Sequence, residues 1–396
     1  MLSRAKGQVL PLVLFMLATG AVLMVVMFNT TQKATDKSIA TNASDAAAYS
    51  AGVWVSRNLN YMAYTNRAMV ANHVAVGHMV TYVSWIRYVA DTADQINRIG
   101  RFIPYLSYVT NLLKQMSGYL RDFAELEAEY LVPTIDELNR LIHYSQLAAM
   151  ADLAPSRVNK VMSAVVKTYD PLLKVNDSGS IKGTGKDFRG LVDASILAQK
   201  AGLIGAVQVM SPGNDSGKMR QLVQMSYAGS QRWFNNRSWS KRFFAVFKLR
   251  KTASTSHSMG SSLSSWKAND KMRYGRWSIK GWKWSTIGKG NASTGEFDDN
   301  YRGIHGYTQV NGKAWLSSDD YPLYMDMVTL TTKKDSQSTP NTRMAITNKG
   351  SSISGFGRAR VFFKKPVQGF SGHKEEYANL FNPFWNVKLV EPWPGV

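Results

Sequence analysis

The feature that most constrains this chain is a run of twenty residues, Val9 to Phe28, without a charged side chain. As a helix it is long enough to cross a hydrocarbon core about 30 Å thick. Pro11 falls in the first turn, where its missing N–H has no helical partner to lose. Arg4 and Lys6 precede the run, and Thr30, Thr31, Lys33, Asp36 and Lys37 follow it. A short, purely positive end stays cytoplasmic, which places the long C-terminal part outside. A cleaved signal peptide has an apolar core of about 7–15 residues with a small-x-small site close behind. Here the core is longer, and Ser38-Ile39-Ala40 lies well past its end. The sequence therefore predicts a retained transmembrane helix at 8–28 behind a basic cytoplasmic tip at 1–7.

Ala68 to Ile86 also lacks Lys, Arg, Asp and Glu. It holds Asn72, His73, His78, Thr81 and Ser84, which are costly in lipid but satisfiable in a protein core. It reads as a buried soluble helix, not a second span. Residues 29–170 as a whole read as a helical stalk or bundle. Leu106, Val109, Leu112, Leu113, Met116, Leu120, Phe123 and Leu126 recur at helical spacing. Small side chains across Lys33–Ala51 would let another helix approach closely. Asn58, Asn60, Asn66, Arg67, Asn72 and His73 interrupt the apolar pattern. Buried polar groups need partners, so these predict a hydrogen-bond network, with Asn66 and His73 sharing a face seven residues apart. Arg67 needs a carboxylate if buried, with Asp45 the candidate; otherwise it snorkels to the surface.

Residues 171–230 read as a linker with short helices: a loop over Asn176–Gly190, a helix over Leu191–Met210 and another over Lys218–Ala228. From 231 to 396 the character changes. Nine of the eleven Trp lie there, and apolar residues alternate at period two. Strands are predicted at Phe243–Lys251, Arg273–Thr286, Arg343–Thr347, Gly357–Lys364 and Trp385–Val390, with turn chemistry such as Asn311-Gly312 between them. The expected fold class is α+β: one N-terminal transmembrane helix running into a helical stalk or bundle, followed by a β-rich C-terminal domain.

The chain has no cysteine, which excludes disulfides, Cys-ligated zinc and a thiol nucleophile. His73 and His78 are five apart with no HExxH, and they read as core histidines. Adjacent acids such as Asp298-Asp299 face opposite ways on a strand and make poor acid/base pairs. No catalytic residue, metal site or cofactor is expected, and nothing names a reaction.

The net charge is +21, and residues 231–396 carry 26 Lys and Arg against 11 Asp and Glu, a net +15. Between Lys241 and Lys289 there are twelve Lys or Arg and one acid, Asp270. Arg273, Arg276, Trp277, Lys280, Trp282, Lys283 and Trp284 form the densest part, and they are the candidate binding patch. Rings interleaved with cations suit a polyanion or glycan. The bland alternative is a sheet with Trp inside and Lys and Arg on a solvated face. A domain on the exported side faces envelope polyanions, lipid headgroups or partner proteins rather than nucleic acid.

Three strings carry a family resemblance. A basic tip, an apolar helix and then Asn42-Ala43-Ser44-Asp45-Ala46-Ala47-Ala48-Tyr49 resemble the start of TadE/TadG-like proteins of the tight adherence (Tad, or Flp) pilus. Leu59-Asn60-Tyr61-Met62-Ala63-Tyr64-Thr65-Asn66-Arg67-Ala68-Met69-Val70-Ala71-Asn72 resembles a TadG-like subgroup. So does Glu376-Tyr377-Ala378-Asn379-Leu380-Phe381-Asn382-Pro383-Phe384-Trp385. The resemblance implies a bacterial inner-membrane protein of a pilus or secretion system, structural and minor pilin- or pseudopilin-like. Its partners would be other proteins of that system and membrane lipid. Type IV prepilins are cut after a Gly, with Glu at the fifth mature position. Gly7 meets the first requirement and Leu12 departs from the second.

Overall fold

A computed structural model describes residues 9–103, 106–176, 186–211, 217–229, 236–243, 246–257, 263, 265–317, 323–334, 352–365 and 377–391. The basic tip with Gly7 and the predicted strand Arg343–Thr347 lie outside the described residues. The chain is mixed helix and sheet, organised on one element. Helix α1 runs unbroken from Val9 to Gly100, about 138 Å at 1.5 Å per residue. Its apolar N-terminal stretch is long and apolar enough to cross a membrane, and no part of that stretch is buried. From Ala40 onward the same helix is the core of the folded body.

Helix α2 (Leu106–Ala151) turns back antiparallel along α1. The paired levels are Gly100 against Thr110, Arg87 with Glu125, Asn72 with Asn139 and Trp54 with Asp152. Pro133 is accommodated inside α2. Helix α3 (Pro155–Tyr169) packs Val158, Met162 and Val166 into the Ala-rich part of α1.

The remaining elements are β1 (Lys174–Val175), α4 (Lys186–Gly205), β2 (Val207–Met210), α5 (Lys218–Gly229), β3 (Trp239–Phe243), β4 (Phe247–His257), β5 (Trp266–Ser278), β6 (Gly281–Ser293), α6 (Thr294–Phe297), β7 (Tyr307–Val310), β8 (Tyr324–Lys334), β9 (Ser352–Phe363) and β10 (Trp385–Leu389). They form sheets ordered β1-β8-β9-β10 and β3-β4-β5-β6, with a β2-β7 pair between. The first sheet lies on α1 near residues 40–60 and the second near 77–92. The β-rich part is thus laid along the helix, and each of its two larger sheets shares a core cluster with the predicted stalk.

Several local expectations change. The predicted helix Leu191–Met210 ends at Gly205, because Val207-Gln208-Val209 alternates and pairs with β7. The expected loop Asn176–Gly190 includes the first turn of α4. The run Phe243–Lys251 is broken between Phe243 and Phe247, and Arg273–Thr286 is a hairpin whose turn ends at Gly281, φ +99°. The small-residue part of α1 receives helix α3, as expected, and also a strand. A Cβ on Gly355 or Gly357 of β9 would overlap the α1 backbone at Ala40 or Ser44. Ala68–Ile86 is packed between α2 and the second sheet, with Val76, Val80 and Val83 fully buried.

The polar run of α1 ties the chain's two ends together. Asn60 accepts from the Trp385 amide at 3.0 Å and donates to the Trp385 carbonyl at 2.9 Å. Asn66, fully buried, donates to the carbonyls of Leu380 (2.7 Å) and Thr308 (2.9 Å) and accepts from Gln146 Nε2. Two of the strings that carry the resemblance, 59–72 and 376–385, therefore contact each other. Arg67 is exposed, and Asp45 lies 22 residues away on the same helix, about 33 Å, so that pairing is ruled out.

Candidate functional site

The basic, Trp-bearing stretch folds as the sheet β3-β4-β5-β6. On β5, Trp266, Ala268, Asp270 and Met272 are buried against α1. Side chains alternate across a strand, so Lys267, Lys271, Arg273 and Trp277 point to the opposite, outer face. Directly opposed residues in an antiparallel sheet share a face, which carries the assignment to the neighbouring strands. Arg242, Lys248, Arg250 and Lys289 join the outer face.

A β-bulge decides the position of two tryptophans. Gly288 and Gly290 of β6 face α1, so strict alternation would turn Trp284 and Trp282 inward as well. The register shifts at Met272/Arg273, where Met272 pairs with Gly288 and Arg273 with Thr286. Ile287 is the extra residue, and it flips the rest of the strand. Trp282 and Trp284 therefore emerge on the outer face beside Trp277. Gly275 lies beneath them: a Cβ there would stand 3.1 Å from both rings. The two ring centroids are 6.2 Å apart, and the Arg242 guanidinium sits 5.5 Å from that of Trp282.

The outer face thus combines seven Lys or Arg with three Trp, and no Asp or Glu stands among its strand residues. Three cross-strand pairs on it join cations: Arg242–Lys248, Arg250–Arg273 and Lys271–Lys289. Like charges set directly opposite are destabilising. A sheet that needed only a solvated surface would be expected to mix signs. Of the seven predicted patch residues, Arg273, Trp277, Trp282 and Trp284 come together. Arg276 and Lys283 oppose each other on the other face, and Lys280 lies in the exposed turn. Only Trp266, among the stretch's tryptophans on β5 and β6, is inside, so burial of Trp away from Lys and Arg is not how this sheet is built.

The one acid of the stretch is spent in the interior. Asp270 is fully buried and accepts from Arg237 Nη2 (3.1 Å), Lys251 Nζ (3.1 Å) and Ser84 Oγ (2.9 Å). Burial pushes the Lys251 ammonium below its ordinary pKa, and Asp270 opposes that shift. Lys251 also stands 4.4 Å from the Tyr88 ring centroid. This buried cluster clamps the sheet to α1.

His73 is a hydrogen-bonded core residue. Its Nδ1 is 2.7 Å from the Tyr301 hydroxyl and its Nε2 is 2.8 Å from His257 Nε2. Burial lowers both histidines, His257 to about 4. A polar cleft of about 490 Å³ between α2 and the 298–306 segment gathers Asp136, His143, Asp298 and His305. Asp136 there accepts the amides of Arg302 and Gly303, and Asp298 that of Asn300. Among the described residues, no group of three or more His, Asp or Glu is placed to hold a metal.

Comparison with protein-family models, with curated proteins and with solved structures finds no match to this chain.

Proposed function

We propose that this chain is a membrane-anchored structural component of a bacterial surface assembly of the Tad pilus kind, minor pilin- or pseudopilin-like and without catalytic activity. The observation that carries the reading is α1. One unbroken helix is bare over its apolar first stretch and then becomes the core of the folded body, so force or position is transmitted between bilayer and body without a hinge. The strings that resemble TadG-like proteins support the assignment to that system. In this reading the N-terminus lies in the cytoplasm and the body beyond the inner membrane, which the positive charges before the apolar run support. Deleting the gene should abolish piliation or surface attachment while growth is unaffected. Normal piliation in the deletion would sink the proposal. A reporter fused after Val396 should be active only outside the cytoplasm.

A second, compatible reading is favoured by the outer sheet face: it holds a polyanionic glycan of the envelope. The three cation–cation pairs and the carboxylate-free surface are what an anionic polymer neutralises. The full chain in detergent should bind heparin resin at low salt. Replacing Lys248, Arg250 and Lys271 by Thr should reduce the slope of log affinity against log salt by about 2–3, at roughly 0.7–0.9 per neutralised charge. Retention unchanged by the triple substitution would exclude this face.

A further inference from the structure

The first half of helix α2 leaves most of its large apolar side chains out of its contact with α1. The side it turns to α1 carries Thr110, Ser117 and Ala124, all buried. The large apolar residues flank that line and stay in solvent: Leu106, Val109, Leu113, Met116, Leu120 and Phe123 are each about half exposed or more. Their spacing is 3, 4, 3, 4, 3, the heptad repeat that lets one helix lie along another in a left-handed supercoil. Leu112, Tyr119 and Leu126 widen the stripe on one side. Together these nine side chains, 45–75% exposed, present on the order of 900 Å² of apolar surface, since large side chains of this kind bury roughly 150–250 Å² each. A monomer's largest apolar patch is usually about 300–600 Å². A stable dimer needs about 800 Å² per partner.

We propose that this stripe is the interface with a second copy of the same chain, α2 against α2 in a parallel two-stranded coil. Two copies anchored through the same N-terminal helix stand in one orientation. Their α2 helices are then parallel and at the same height, which brings each seam residue level with its own counterpart. The nine positions carry no charge. Lys114, which borders the stripe, is held by Asp94 at 2.9 Å, and Glu125 is held by Arg87 at 2.7 Å. Nothing along the seam therefore repels an identical surface, although the chain as a whole is strongly cationic. Glu127, at the next core position, ends the seam.

The absence of cysteine makes the test direct. Single Cys at Val109, Leu113, Met116 or Leu120 is introduced into the full chain in membranes, with Gln115→Cys and Asp122→Cys as exposed controls off the seam. On mild oxidation the seam variants should become disulfide-linked dimers and the controls should remain monomeric. Leu113→Asp combined with Leu120→Asp should halve the mass of the detergent-solubilised chain while its helical circular dichroism is kept. Equal crosslinking at control and seam positions would overturn the proposal. So would labelling of the seam cysteines by a lipid-phase probe without crosslinking, or a crosslink between Leu106→Cys and Phe123→Cys chains, which reports an antiparallel pair. The parallel setting rests on the anchor reading, which the reporter fusion tests independently.

Discussion

Removing positive charge from the outer sheet face should make the protein more stable while weakening its hold on a polyanion. Lys248→Thr, Arg250→Thr and Lys271→Thr each break one of the three opposed cation pairs and leave Arg242, Arg273 and Lys289 in place. Cross-strand pairs are worth roughly 0.2–1 kcal/mol each, so the triple variant should gain about 1–3 kcal/mol. At roughly 2–4 °C per kcal/mol the melting temperature should rise by about 2–12 °C. Threonine also favours strands, and that contribution must be subtracted. Lys267→Thr supplies it, because Lys267 sits opposite Ser256 and Ser293, with no like charge to relieve. The assay is thermal unfolding of the full chain in a non-ionic detergent, at about 20 mM and then at 1 M salt, where the Debye length falls to about 3 Å. The excess gain over three times the Lys267→Thr effect should shrink at high salt. A triple variant no more stable than that sum, or a gain indifferent to salt, would show that these cations do not repel one another, and the argument for an anionic ligand would fall with it.

Three further outcomes follow from the interior. Asp270→Asn leaves Arg237 and Lys251 as buried cations without their counter-charge, and it should destabilise by about 3–5 kcal/mol in denaturant titration. His257 has a folded pKa of about 4 against 6.5 unfolded, so the unfolded chain takes up its proton first. Stability from this group is full above pH 6.5 and is lost as pH falls toward 4. At about 1.4 kcal/mol per unit this amounts to roughly 3 kcal/mol, and His257→Gln should flatten that part of the pH profile. Asn66→Ala takes the Asn66 donor from the carbonyls of Thr308 and Leu380 and one acceptor from Gln146 Nε2, which keeps Thr65. It should cost about 2–4 kcal/mol and expose the 377–391 segment to limited proteolysis before the rest of the body.

The parts of this fold legible in the sequence are those set by local pattern. The apolar run at Val9–Phe28, the helical spacing on α2 and the alternation at Gly357–Phe363 and Trp385–Leu389 each state a period, and the structure follows it. What the sequence does not state is which surfaces meet. The small side chains near Ala40 and Ser44 say only that something approaches closely; that it is β9 depends on Gly355 and Gly357, more than 300 residues away. The candidate patch divides between two faces for the same kind of reason. Arg276 and Trp277 alternate as expected, but one bulged residue, Ile287, reverses the face of everything before it on β6. Lys248 and Arg250 belong to the site through strand pairing alone.

The long helix also decides which anion the sheet face could reach in the proposed setting. Tyr88, level with the bulge, is 60 residues beyond Phe28, about 90 Å along the helix axis. There is no proline between them to bend it. Even at a tilt of about 40°, the upper end of what spanning helices show, the sheet would stand some 70 Å above the bilayer. Surface charge is screened over about 8–10 Å at physiological salt. Headgroups of the anchoring membrane are therefore out of range of Arg242, Arg250 and Arg273. An anion that meets them must come from elsewhere in the envelope: a polymer, or the acidic surface of another protein in the assembly. Binding of the full chain to heparin without enhanced binding to anionic vesicles added in trans would select the polymer. The reverse preference would return the face to lipid.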